Sequence, residues 1–265
     1  WSPVNIYDFS AWTRTIIVPL SIIWAFRPVR PLAKNFNIDE LYCNGRRMKD
    51  CGIRWDRRVI SWKNFFLFLD GTIKTLYKSK LAFLKGAAVK KAGRWMIERF
   101  DKSDGFCAIY PAMINSVMAL SCLGYKNDHP LVKSNLDEVL RLLAHKGDRA
   151  EMQPCVSPVW DTALCAYALG ISGFPKDHEA MGKAGRWLLS KQVNETGDWK
   201  VKTKDAEPGG WYFQFRNEFY PDIDDTAQVL LGLEQIDMGP EEPQKKAGFE
   251  RGLEWMLKMQ SRDGG

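Results

Sequence analysis

The residues with the most chemical potential lie in Tyr220-Pro221-Asp222-Ile223-Asp224-Asp225-Thr226-Ala227, where three carboxylates fall within four positions. Such a cluster could hold a hard cation, because carboxylate oxygens are its preferred ligands. It could equally hold a single proton at high free energy, since crowded carboxylates let one keep its proton while a neighbour stays ionised. The plainest reading is a capped helix start on a solvated surface, Asp being a favoured N-cap residue. Just upstream, Gly209-Gly210-Trp211-Tyr212-Phe213-Gln214-Phe215 is an aromatic run suited to a pocket wall. Ring faces attract positive charge by about 0.5–2 kcal/mol each. Strong acid beside aromatic rings is what protonating a carbon–carbon double bond needs.

The elements that must position these groups read as helices. Helix-compatible runs at Ala87–Arg99, Met113–Leu123, Leu131–Ala144, Thr162–Leu169, His178–Lys191, Thr226–Gln235 and Glu242–Met259 are separated by Gly, Pro, Asn and Asp. Strand signals are poor. Pro130 suits a first helical turn, and Asp177 is placed to cap the helix after it. Asp161 precedes Thr162–Leu169 and is expected to cap it, with support of the site as the alternative. The segment Lys91-Ala92-Gly93-Arg94-Trp95 recurs as Lys183-Ala184-Gly185-Arg186-Trp187 and, more loosely, as Arg251-Gly252-Leu253-Glu254-Trp255. Gln192 and Gln260 each follow five residues after the repeat Trp. A Gln there can hydrogen-bond backbone where a helix ends, while a later Trp stacks over it. Helical hairpins tied in this way predict an all-α protein, an α/α toroid with a central cavity.

Near the start, Val4–Ala25 carries an apolar run that Pro19 interrupts, too short for a clean membrane span, so a buried helix is expected. Trp62–Tyr77 opens with Phe65-Phe66-Leu67-Phe68-Leu69, which no ordinary amphipathic helix can bury on one face. Either that helix is buried all round or one side meets another apolar medium. Lys74, Lys78, Lys80 and Lys85, interleaved with Leu81, Phe83 and Leu84, fit an anchor in one membrane leaflet. The net charge of +6 over 265 residues suits a solvated surface or an anionic membrane face. No nucleic-acid motif accompanies it. The six cysteines have no paired spacing and read as small apolar residues. The chain starts at Trp1 without Met and stops inside its last repeat, so a segment of something longer is expected.

The chain resembles the squalene–hopene cyclases of the class II triterpene cyclase family. The resemblance rests on Ser157-Pro158-Val159-Trp160-Asp161-Thr162, Pro208–Phe215, Tyr220–Ala227 and the Gln/Trp repeats, and runs over essentially all of the chain. It implies two α-barrel domains. Residues 1–153 would be part of the second, inserted barrel with its membrane-facing segment, and residues 154–265 the first part of the catalytic (α/α)6 barrel. It further implies a monotopic membrane protein on the cytoplasmic face of the bacterial inner membrane, in some members a homodimer. The substrate would be squalene or a similar polyprene, cyclised to hopene or hopanol without metal or cofactor, and without nucleic acid as a partner. Another linear polyprenoid, such as a C35 terpene, and a scaffold without catalysis stay open as alternatives. Residue by residue, the resemblance makes Asp224 the proton donor, with Asp222 and Asp225 tuning it. It puts Trp160, Phe213 and Trp12 around the cation, and Ile109, Tyr110 and Pro111 near the end of the polyene. Chemistry alone does not choose among the three acids.

Overall fold

The computed structural model describes residues 5–31, 53–78 and 82–264, without the side chains of 76–78 and 82–84. It divides into two units, Trp1–Trp24 with Ala92–Gly265, and Ala25–Lys91. Described helices are α1 (Ala11–Phe26), α2 (Trp62–Lys78), α3 (Ala82–Ile97), α4 (Tyr110–Cys122), α5 (Pro130–Arg141), α6 (Pro158–Ile171), α7 (Glu179–Ser190), α8 (Ile223–Leu233) and α9 (Glu242–Met259).

The expected helices are present, with two local corrections. The helix anticipated over Leu131–Ala144 ends at Arg141, and the chain then turns back as an antiparallel hairpin of β1 (Leu143–Lys146) and β2 (Arg149–Met152). The tight turn is possible because Gly147 adopts φ +65°, a left-handed conformation that costs glycine little. At the start of α7 the cap is His178, not Asp177: its Nδ1 accepts the Ala180 amide at 3.1 Å. His129 does the same at the start of α5, accepting from Leu131 at 3.2 Å. Each imidazole sits 4.8 Å from an aromatic ring four residues earlier, Tyr125 and Phe174 respectively.

In the larger unit α6 lies between α7 and α8, and α9 packs on α7 and α8. The core there comprises Val159, Ala163, Met181, Leu188, Trp211, Val229 and Leu233. α4 and α5 form a second hairpin around Met113, Val139 and Leu142.

The Gln repeat does what its position suggests. Gln192, buried at the end of α7, donates from Nε2 to the carbonyls of Gly209 (2.7 Å) and Gly248 (2.8 Å), and its Oε1 accepts from Arg251 at 2.5 Å. One amide thus joins α7, α9 and the aromatic run. A Cβ on Gly209 would lie 2.4 Å from the Arg251 carbonyl oxygen, so only glycine fits that approach. Trp199 meets Trp255 edge-on at 6.0 Å.

In the smaller unit, the buried Asn64 side chain accepts the Asp56 amide at 2.7 Å and donates to the Arg58 carbonyl at 2.8 Å, folding 56–59 onto α2. Phe65, Phe66, Phe68 and Leu69 are exposed, with Trp62 and Ile73 nearby in sequence. Burial on all sides is therefore not what this helix does. A pocket on this unit is lined by Trp55, Leu67, Phe68, Gly71, Thr72 and Thr75. Lys80 and Leu81, part of the anticipated anchor, lie outside the described residues. Among the described residues no helix is long and apolar enough to cross a membrane.

Candidate active site

The three acids lie at the N-cap and in the first turn of α8, and helix geometry gives each a different environment. Asp222 is the N-cap, extended in backbone, and its carboxylate accepts the Asp225 amide at 2.8 Å. Asp225 stands opposite its cap and is buried, 1 % exposed, with neither carboxyl oxygen hydrogen-bonded within the described residues. Asp224, one position earlier, is exposed and opens onto a pocket.

The turn is pinned from outside the helix. The Asp222 amide donates to the Trp211 carbonyl at 3.0 Å, and the Trp211 amide donates to Thr226 Oγ1 at 2.9 Å. Thr226 Oγ1 in turn donates to the Asp222 carbonyl at 2.6 Å. Trp211 is fixed by its indole N–H, which donates to the Leu188 carbonyl at 2.7 Å. The aromatic run is thereby locked across the acid-bearing turn. Its next residue but one, Phe213, accepts the Val159 amide at 3.3 Å and so holds the start of α6. Trp160 follows, its ring 6.2 Å from Phe213 and tilted by 39°.

The pocket so formed has a volume of about 370 Å³ and is lined by Trp12, Ile109, Cys155, Trp160, Phe213, Asp222, Asp224 and Asp225. Seven of the anticipated site residues therefore meet around one space. Three do not line it. Tyr110 is half-buried against the Met113, Val139 and Leu142 cluster. Pro111 is exposed in the first turn of α4. Asp161 lies inside the first turn of α6 rather than capping it, and accepts from Ser157 Oγ at 2.8 Å. Cys155 was not anticipated as a wall residue. It is brought in by the Tyr110 amide, which donates to the Pro154 carbonyl at 2.8 Å beside Ile109.

Electrostatics follow from the placement. Burial, then the charge of Asp222 close by, push the Asp225 carboxyl up to about 9, which favours its protonated form. Burial also raises Asp222, against the pull of the Asp225 amide that stabilises its charge. Helix N–H groups at this end favour negative charge on the cap. Among the described residues no group of three His, Cys, Asp or Glu side chains is arranged to hold a metal ion. The turn can therefore keep a proton in an apolar, ring-lined space and present a carboxyl to whatever enters.

Known proteins give the arrangement a family. Residues 1–148 match the squalene-hopene cyclase N-terminal domain, and residues 156–265 match the squalene-hopene cyclase C-terminal domain. The squalene–hopene cyclase of Bradyrhizobium diazoefficiens is 37 % identical over 266 residues, covering 100 % of this chain and 40 % of its own length. That of Alicyclobacillus acidocaldarius is 35 % identical over 267 residues, covering 99 % and 41 %. The dammaradiene synthase of Dryopteris crassirhizoma is 34 % identical over 271 residues, covering 100 % and 38 %. The chain thus spans about two fifths of the length of the curated relatives it matches. Its helical architecture is the part of the α/α toroid that these domains contribute. Matched along both of its halves, the chain belongs to the squalene–hopene cyclase family.

Proposed function

We propose that these residues carry the acid of a class II terpene cyclase that protonates a terminal double bond of squalene and closes it through carbocations to hopene or hopanol. One observation supports this above the others: three carboxylates converge with Trp12, Trp160 and Phe213 on one pocket. Asp224 is the donor in this reading. All three acids line the pocket; Asp222 accepts the Asp225 amide and Asp225 is buried, while Asp224 is the exposed one of the three. In the reacting state Asp224 is the carboxylic acid. The electron pair of the double bond forms a C–H bond at the less substituted alkene carbon, and the O–H pair stays on Asp224 as a carboxylate. The proton lost at the end of the cascade leaves to water, from which Asp224 is reprotonated. The tertiary cation left behind is attacked by the next double bond, and so on along the chain. Proton loss gives the alkene product; capture of water followed by proton loss gives the alcohol. The rings of Trp160 and Phe213 stabilise positive charge without supplying a nucleophile that would end the cascade.

Substrate and product are the finer part of the reading. Relatives named for different products share similar identity, dammaradiene synthase at 34 % among them. A different linear polyprenoid, such as a C35 terpene, would use the same acid. Residues 1–153 are read as part of the inserted barrel and 154–265 as the start of the catalytic one. The exposed Phe65, Phe66, Phe68 and Leu69 support a monotopic seat on a membrane surface, from which an apolar substrate enters. The cytoplasmic face of a bacterial inner membrane and a homodimer complete the proposal.

The test is to incubate the full-length protein with squalene, with and without a chelator, and to identify products by gas chromatography and mass spectrometry. Cyclised product that survives chelation and disappears in Asp224→Asn is expected. Unchanged turnover in that variant would remove Asp224 from the chemistry.

A further inference from the structure

Away from the pocket, one buried carboxylate joins two of the segments that build it. Asp198, 6 % exposed, accepts from Arg99 Nη2 at 2.5 Å and Arg99 Nε at 3.3 Å, and from the Tyr220 hydroxyl at 3.2 Å. Arg14 Nε stands 3.6 Å from the same oxygen that Tyr220 reaches. Arg14, Arg99 and Tyr220 are all buried. None of the four lines the pocket. The two arginines are anchored independently of Asp198: Arg14 Nη1 donates to the Phe9 carbonyl at 2.6 Å, and Arg99 Nη1 donates to the Trp95 carbonyl at 2.7 Å. Arg99 also lies over the Trp95 ring at 3.9 Å.

The partners of Asp198 matter for where they sit. Arg14 is two residues after Trp12 in α1, and Tyr220 is two residues before Asp222. A burial that encloses two cations around one anion is poor economy for stability alone, because desolvation offsets much of the attraction. It does fix direction, since the Arg99 and Tyr220 donors converge on one carboxylate with the Arg14 guanidinium 3.6 Å away.

We propose that Asp198 is a positioning residue: through Arg14 and Tyr220 it sets the separation between the Trp12 ring and the acid turn Asp222–Asp225. This inference rests on the cyclase reading for its catalytic consequence but not for its structural one. Attack on an alkene needs proton, double bond and ring wall in register, and small displacements of such groups reduce rate steeply.

The experiment uses the full-length protein and two variants, each read by amide hydrogen exchange and by steady-state kinetics with squalene. Tyr220→Phe removes one hydroxyl and keeps the ring. It is expected to speed exchange at Asp222–Thr226 but not at Trp12–Thr15, to lower kcat on the order of ten-fold with KM unchanged, and to increase incompletely cyclised products. Asp198→Asn keeps the shape and removes the charge, and is expected to speed exchange in both segments. Exchange at Asp222–Thr226 that is unchanged in Tyr220→Phe overturns the proposal, whatever happens to melting temperature. Should Asp198→Asn fail to fold, Tyr220→Phe decides alone. If the native protein does not cyclise squalene, the functional reading fails while the exchange result still judges the tether.

Discussion

Replacing Asp225 by Asn should change how stability depends on pH. In the native protein burial and neighbouring charge hold this carboxyl's pKa up to about 9, against 3.8 when free of those influences. Between these values the folded chain binds one proton more than the unfolded chain. Stability is then fully present below about pH 4 and is lost as pH rises through about 9. The loss is about 1.4 kcal/mol per pH unit, or roughly 2.7 kcal/mol from pH 6 to pH 8. An amide at position 225 does not titrate, so Asp225→Asn lacks this slope. It brings its own cost, a buried NH2 group, but that cost is the same at both pH values. The assay is guanidinium unfolding of the full-length protein and the variant at pH 6 and pH 8, followed by far-UV circular dichroism. The stability of the variant relative to the native protein should rise by about 2–3 kcal/mol between the two conditions. A difference that does not move with pH would refute the argument. It would mean that Asp225 is ionised in the folded protein.

Asp222→Ala should remove both the cap on the Asp225 amide and one acid of the pocket, costing about 1 kcal/mol in chemical unfolding and abolishing cyclisation; a variant with native turnover would contradict the site. Gln192→Ala should leave the Gly209 and Gly248 carbonyls without their buried donor, for a loss of about 2–3 kcal/mol. Thermal unfolding checks this, and a loss within experimental error would show that water replaces the amide.

Most of the architecture was legible because helices announce themselves by composition and by punctuation at Gly and Pro. α9 lies where it was expected, over Glu242–Met259. The hairpin was hidden because Leu143-Ala144-His145-Lys146 and Arg149-Ala150-Glu151-Met152 are residues that suit helices; Gly147 alone reverses the chain. The histidine caps were missed because imidazole is outside the usual set of capping side chains. Of the site, the acids, Trp12, Trp160, Phe213 and Ile109 were found through motifs. Tyr110 was placed with Ile109 because the resemblance puts Ile109-Tyr110-Pro111 together near the end of the polyene. Ile109, however, is extended at the helix boundary, and one step into α4 turns the next side chain toward α5. Cys155 and the Asp198 cluster carried no local signal. Arg99 and Asp198 are 99 positions apart in sequence and meet only through the fold.

The spacing of the acids has its own physical reason, and it bears on which of them can react. N-cap and third helical residue face each other, so Asp222 and Asp225 must share a small volume once α8 forms. Their mutual repulsion is relieved by burying one with its proton and giving the other the helix amide. Asp224, the residue before Asp225, is turned about 100° away from it around the helix. Asp224 is thus excluded from the pair and directed outward, here into a cavity walled by Trp160, Phe213 and Trp12. Moving the middle acid by one position in either direction would place it at the first helical residue or merge it with the buried one. The pattern Asp-x-Asp-Asp therefore buries one acid against its cap and leaves Asp224 as the exposed carboxyl of the three, the one the proposed reading makes the donor, with nothing more than the first turn of a helix.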